Sequence, residues 1–153
     1  MLKTIFRYPV ESILCVLLSA LSIVTFSQVV ARYIFQAPLS WSEELARFLL
    51  LWLAMMSGAY AFKIKAHFAL NFMVNSFPKK IQKIISMFVS LLVIFFLLGF
   101  VYNSFKFVLG VRGHLAPALQ IPMEIPYSAC IVGGLLMLFY VSKTFIKGIY
   151  SKN

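Results

Sequence analysis

The chain has 153 residues, of which 62% are apolar and only 12% charged. Soluble globular domains carry about a quarter charged residues, so this composition excludes an ordinary soluble protein and indicates an integral membrane protein. A formal net charge of +10 would point to nucleic acid in a soluble protein, but here the basic residues flank apolar segments. Anionic lipid headgroups account for that charge, so we predict membrane lipids as partners and no nucleic acid.

Four apolar segments follow one another along the chain. A helix that spans a bilayer takes about 20 residues, and the predicted spans are residues 10–32, 41–63, 81–107 and 125–147. The longest polar interval between them is about 20 residues, which is too short to bury a core of its own. We therefore predict an all-α integral membrane protein in which residues 1–153 form a single domain of four transmembrane helices.

The first predicted span begins like a signal peptide, with a basic end followed by an apolar run. No small-x-small cleavage site closes the run, and its length is sufficient to cross the membrane, so we predict a retained helix. Its only carboxylate is Glu11, beside Pro9 and close to Arg7. At this position we interpret Glu11 as an interfacial charge.

The start of the second span holds two of the four carboxylates of the chain. Ser40 and Glu43 have the spacing of a capping box, which places the acids near the positive end of the helix dipole. In a helix Glu43 and Glu44 lie four and three residues before Arg47, so both carboxylates can reach its guanidinium. Two interpretations stay open: a capped helix start anchored in the headgroups, or a charged contact with a second membrane subunit or a soluble partner.

The remainder of the second span offers aromatic and small side chains. Trp41 suits the aromatic belt at the membrane interface, whereas Trp52 lies deeper and packs or faces a partner. A flat face for close helix contact is predicted from four small residues, Ala54, Ser57, Gly58 and Ala61. The small-residue spacing of Ala54 and Gly58 recurs in the fourth span at Ala129 and Gly133.

Two intervals between the spans are not simple polar loops. In residues 63–83 apolar residues follow helical spacing between lysines, which predicts a short helix in the membrane interface, with His67 as an interfacial residue. Residues 110–126 contain His114 and three prolines. For this interval we predict an ordered, extended crossing with little helix of its own.

The basic residues divide unevenly between the two sides of a four-span topology. Ten lie near the termini and the central loop, and only Arg32, Arg47, Lys106 and Arg112 lie on the other side. The positive-inside rule therefore predicts that both termini and the loop of residues 63–83 are cytoplasmic.

Catalytic, metal and cofactor sites are not predicted. Haem would need two histidines at matching depth, but His67 and His114 fall on opposite sides of the predicted membrane. Cys15 and Cys130 lie inside spans and form no Cys-x-x-Cys motif, so we interpret them as packing residues. An enzyme has no supporting constellation of side chains.

A small proton-coupled multidrug exporter is the alternative from another functional class. Such proteins are four-helix chains that use a carboxylate within the membrane. Here Glu11 is the only candidate on the first span, and the centres of all four spans lack ionisable acids, bases and histidines. Transport chemistry at the bilayer centre ordinarily requires such groups, so the chain has the features of a scaffold.

Several motifs together resemble the small membrane subunit, the DctQ-like subunit, of tripartite ATP-independent periplasmic (TRAP) transporters. The most specific is the Trp-x-Glu-Glu-x-x-Arg pattern from Trp41 to Arg47. The others are Arg32-Tyr-Ile-Phe, Gly58-Ala-Tyr-Ala-Phe with the basic run ending at His67, Ala118-Leu-Gln-Ile-Pro-Met, and Tyr127 with Gly133-Gly134.

The resemblance implies a bacterial inner-membrane complex that imports organic acids on a sodium gradient. Its implied partners are a large TRAP membrane subunit, which moves the substrate and binds the sodium, and a periplasmic substrate-binding protein. The small subunit is expected to be a static support, and the cargo is a dicarboxylate, a sialic or other sugar acid, or a keto acid. The residues that we expect to have contact or structural roles are Arg32, Trp41, Glu43, Glu44, Arg47, Trp52 and Gly58.

Overall fold

The computed structural model describes residues 9–37, 39–64 and 78–150. Within these ranges the chain forms four α-helices: α1 (Pro9–Tyr33), α2 (Ser40–Lys63), α3 (Lys79–Gly110) and α4 (Glu124–Tyr150). Each is long and apolar enough to cross a membrane, and a helix satisfies its own backbone hydrogen bonds in lipid. The predicted four-span, all-α fold is confirmed, and the predicted interfacial helix with His67 lies outside the described residues.

The helices form an open row. The extensive contacts join α1 to α2, α2 to α4, and α4 to α3. The spatial order is therefore α1, α2, α4, α3, with α2 and α4 in the middle. The outer helices expose large apolar side chains, such as Phe26 on α1 at 70% and Phe95 on α3 at 80%. In a membrane these surfaces face lipid or another protein.

Small residues let the helices approach closely around α4. Ala59 on α2 and Ala129 on α4 are fully buried. A Cβ atom added to Gly133 would lie 2.6 Å from Cβ of Met55 on α2, and one added to Gly134 would lie 2.8 Å from a methyl group of Val101 on α3. The predicted close contact at Ala129 and Gly133 is confirmed. Gly133 faces α2 and the adjacent Gly134 faces α3, so each glycine allows a different helix to approach α4 closely.

The loop between α3 and α4, residues 111–123, folds back on itself. Leu115 and Pro122 form an isolated antiparallel bridge, and the amide of Ala116 donates to the carbonyl of Ile121 over 2.9 Å. Gly113 and Gln120 reverse the chain with φ angles of 85° and 55°. The prediction of an ordered segment without a long helix is correct, but the extended crossing is wrong, because these two reversals bring the ends of the loop together.

Candidate functional site

The start of α2 is formed differently from the predicted capping box. The N-cap residue is Leu39, and no side chain caps the helix. Ser40 is already helical, so its hydroxyl does not occupy the cap position. Ser42, which is fully buried, instead donates its hydroxyl proton to the carbonyl of Leu39 over 2.7 Å. Glu43 does lie in the first helical turn as predicted.

Glu43 connects α1 to α2. One of its carboxylate oxygens accepts hydrogen bonds from Arg32 and from Gln28, each over 3.1 Å. The predicted pairing of Glu43 with Arg47 is therefore wrong, because the antiparallel packing of α1 and α2 brings the last turn of α1 beside this carboxylate. Gln28 was missed by sequence reasoning, since nothing in its own pattern indicates a neighbour 15 residues away.

Glu44 holds the loop of residues 111–123 against α2. Its Oε2 atom accepts the backbone N–H of Ala118 over 2.9 Å and that of Leu119 over 2.8 Å. Hydrogen bonds to an ionised acceptor are stronger than those between neutral groups. The predicted pairing of Glu44 with Arg47 is wrong as well. Backbone donors carry no sequence signal, so a contact across 74 residues could not be predicted from the side chains.

Arg47 is the third charged residue of this cluster, and unlike Glu43 and Glu44 its side chain has no hydrogen-bond or ion-pair partner among the described residues. That side chain is exposed. It lies at the edge of an open apolar groove of about 340 Å³, lined further by Phe48, Leu50, Leu51, Ala54 and Tyr127. The Tyr127 ring lies between Phe48 and Phe107, with centroid distances of 6.4 and 5.1 Å. The groove therefore lies between α2 and α4, and Phe107 of α3 packs against the Tyr127 ring that forms part of its wall.

The other predicted site residues divide between the interior and the surface. Gly58 faces α4, and a Cβ atom there would lie 2.5 Å from the terminal methyl of Met137. Trp41 is 41% exposed, and Trp52 is half-buried. Arg32, Glu43, Glu44 and Gly58 thus make contacts within the chain, whereas Trp41 and Arg47 present their side chains outward.

A second polar contact joins α1 and α2 at their opposite ends. Lys63 at the end of α2 donates to Glu11 near the start of α1 over 3.0 Å. Sequence reasoning missed this pair, because Arg7 was the nearer cation along the chain. In lipid no hydrophobic force drives helices together, so polar contacts and close packing must hold them. The α1–α2 hairpin accordingly carries one polar contact at each end.

The polar contacts found among the described residues are structural. Residues 12–31, 48–62, 84–105 and 125–142 contain no Asp, Glu, Lys, Arg or His. In the described ranges no group of three or more His, Cys, Asp or Glu side chains comes together, and Cys15 and Cys130 are free thiols. The fold and the cluster define a four-span membrane protein whose charged groups hold helices and loops together near the helix ends.

Comparison with known proteins gives the family. The family model of the DctQ component of tripartite ATP-independent periplasmic transporters matches residues 21–149. The chain belongs to this family, so the predicted resemblance is confirmed. The family is a transporter component, and the protein is accordingly not an enzyme.

Individual relatives agree with this assignment. The chain is 30% identical over 127 residues to a putative TRAP transporter small permease protein of Haemophilus influenzae, a match that covers 82% of this chain and 78% of the relative. It is 34% identical over 83 residues to the sialic acid TRAP transporter permease protein SiaT of H. influenzae, which covers 54% of this chain and 14% of SiaT. It is 23% identical over 74 residues to the C4-dicarboxylate TRAP transporter small permease protein DctQ of Vibrio cholerae, covering 48% of this chain and 32% of that protein.

Proposed function

We propose that this chain supports the large permease subunit of a sodium-driven, binding-protein-dependent TRAP importer of organic acids. The observation that carries the proposal is the placement of charge. The charged side chains lie toward the helix ends and in the loops, where Glu43, Glu44 and Glu11 hold the fold together. The central parts of the spans contain no acid, base or histidine with which to bind or release a transported ion. Transport is then carried out by the partner.

The similarity to SiaT supports a large permease as that partner. The matched segment is only 14% of SiaT, so SiaT is about seven times as long as the segment that resembles this chain. Two parts of one polypeptide are necessarily present in equal numbers. We infer that this chain likewise binds one large permease subunit, and that a periplasmic substrate-binding protein completes the transporter.

The names of the relatives support an organic acid as the cargo. One relative is named for sialic acid and another for C4-dicarboxylates, and both substrates carry carboxylates. Since the central parts of the spans contain no charged residue, we infer that the choice among dicarboxylate, sugar acid and keto acid resides in the other two proteins. The sodium ions that drive the import bind to the large subunit in this proposal.

Reconstitution tests the division of labour. In liposomes this chain alone should move neither an organic acid nor a cationic drug under a sodium or proton gradient. Addition of the large subunit and the matching binding protein should produce organic-acid uptake that requires external sodium. The large subunit with the binding protein, but without this chain, is the control and should show much weaker uptake.

Flux through the isolated chain would contradict the proposal and favour the small proton-coupled exporter instead. The first residue to test would then be Glu11. Its pairing with Lys63 near one end of α1 differs from the free carboxylate within the membrane that an exporter requires, so we expect no such flux.

A further inference from the structure

Arg47 has an unmatched charge at a depth where charge is costly. It lies seven residues inside α2, which begins at Ser40, so at a rise of about 1.5 Å per residue its Cα lies roughly 10 Å below the helix start. Charged residues within a membrane are ordinarily paired. The two carboxylates closest to it along the chain are engaged with other groups, as described above. An anion from outside the described chain would therefore lower the free energy of Arg47 at this depth.

The surface that continues from Arg47 is shaped for a helix. The exposed positions of α2 recur at 47, 50, 54 and 57, which is one face of the helix. On the C-terminal side of Leu50 this face consists of Ala54 and Ser57. The Ser57 hydroxyl donates to the carbonyl of Ala54 over 3.0 Å, so it needs no partner outside the helix. Short side chains let another helix approach closely in a membrane.

The outer face of α3 differs from this surface in shape. Its exposed residues are bulky, with Phe88 and Phe96 each 66% exposed and Phe95 80% exposed. Flexible lipid chains adapt to such a surface, whereas a rigid helix fits better along a shallow face of small residues. Within the described chain, the α2 face combines a lone cation, an apolar groove and short side chains.

We propose that a transmembrane helix of the large permease subunit packs along the α2 face formed by Arg47, Leu50, Ala54 and Ser57. A carboxylate of that helix binds the Arg47 guanidinium, and apolar side chains next to it fill the groove beside Tyr127. This inference rests on the proposed function and specifies where the two subunits meet. Arg47 binds a carboxylate or a lipid phosphate equally well by charge, and it is the shallow face of short side chains that favours a helix over a phospholipid.

Site-specific photocrosslinking tests the face directly. A photoreactive amino acid at Leu50 should crosslink to the co-expressed large permease, whereas the same probe at Phe95 on α3 should give lipid adducts only. Both positions are exposed, at 54% and 80%. Lipid adducts alone from Leu50, with wild-type complex still copurifying, would overturn the docking face while leaving the proposed function intact. Failure of the wild-type chain to copurify with the large permease would instead overturn the proposed function.

Charge and size variants provide an independent test. Arg47→Ala should reduce copurified large permease by about tenfold or more, the loss expected when one member of a desolvated ion pair is removed, while Arg47→Lys should recover part of it. Ala54→Leu should also weaken the complex. Gly99→Leu on α3 is the matched control, because a Cβ atom added at Gly99 meets no atom of another turn or helix within 4 Å, and it should leave the complex unchanged. Retention of the complex by both Arg47→Ala and Ala54→Leu would overturn the inference.

Discussion

At the scale of single residues, three neighbouring charges at the start of α2 have three different environments. Glu43 contacts α1, Glu44 contacts the loop before α4, and Arg47 lies at an apolar groove. Helical spacing correctly predicts that the three lie close together, but it predicts partners only within the same helix. The partners observed for the two carboxylates come from elsewhere in the chain, and helical spacing carries no information about them.

Removal of the Glu44 carboxylate should loosen the loop of residues 111–123. In Glu44→Ala the amides of Ala118 and Leu119 lose their acceptor, and a hydrogen bond to a charged group contributes about 1.5–3 kcal/mol. We expect hydrogen exchange at these two amides to be about tenfold faster or more in Glu44→Ala than in the wild type. Mass spectrometry of the protein in detergent measures this exchange. Glu43→Ala is the control and should leave these two amides unchanged. Equal protection of the loop in wild type and Glu44→Ala would show that other contacts hold it.

At the scale of helices, α4 connects the row because small residues line its two contact faces. The run Ala129-x-x-x-Gly133 predicts a close contact from sequence, and Gly133 indeed packs against α2. Which helix it meets could not be predicted, because a small-residue spacing specifies close approach and not the neighbour. The same limit applies to Gly58, whose neighbour Met137 lies on α4.

A methyl group added at Gly133 should destabilise the protein. The new Cβ would lie 2.6 Å from Cβ of Met55 and 3.2 Å from its backbone carbonyl, and overpacking of this kind costs about 1–3 kcal/mol. Gly133→Ala should therefore lower the midpoint of thermal unfolding in detergent, followed by circular dichroism. Gly99→Ala is the matched control, since open space surrounds that site and alanine favours a helix by about 1 kcal/mol over glycine. A midpoint for Gly133→Ala equal to that of Gly99→Ala would contradict the close contact.

At the scale of the whole molecule, span number and span limits were predictable, because the length of an apolar run is set by the thickness of the bilayer. The helix ends differ from prediction by no more than three residues, as at α3, which ends at Gly110 rather than at 107. The open order of the helices was not predictable, since every span is apolar enough to face either lipid or protein. The fold of the loop at residues 111–123 depends on backbone contacts, which leave little trace in composition.

The orientation of the molecule in the membrane stays a prediction from the distribution of basic residues. Two positions at opposite ends of the fold, Ile64 and Leu115, are each 53% exposed and make a matched pair for cysteine labelling. In a background without Cys15 and Cys130, an impermeant maleimide added to spheroplasts should label Leu115→Cys and spare Ile64→Cys. The reverse pattern would place the termini on the periplasmic side.

The polar contacts at the two ends of the α1–α2 hairpin have a consequence for the membrane around the protein. Glu43 and Lys63 are 20 residues apart on α2, which at about 1.5 Å per residue corresponds to roughly 30 Å, the thickness of the hydrocarbon core. Both ion pairs therefore lie near the boundaries of that core when the hairpin stands upright. A thicker bilayer would draw the charges into hydrocarbon, and a thinner one would tilt the hairpin to keep its apolar residues covered. The hairpin is thus matched in length to a bilayer of ordinary thickness, and its tilt should report changes in lipid chain length.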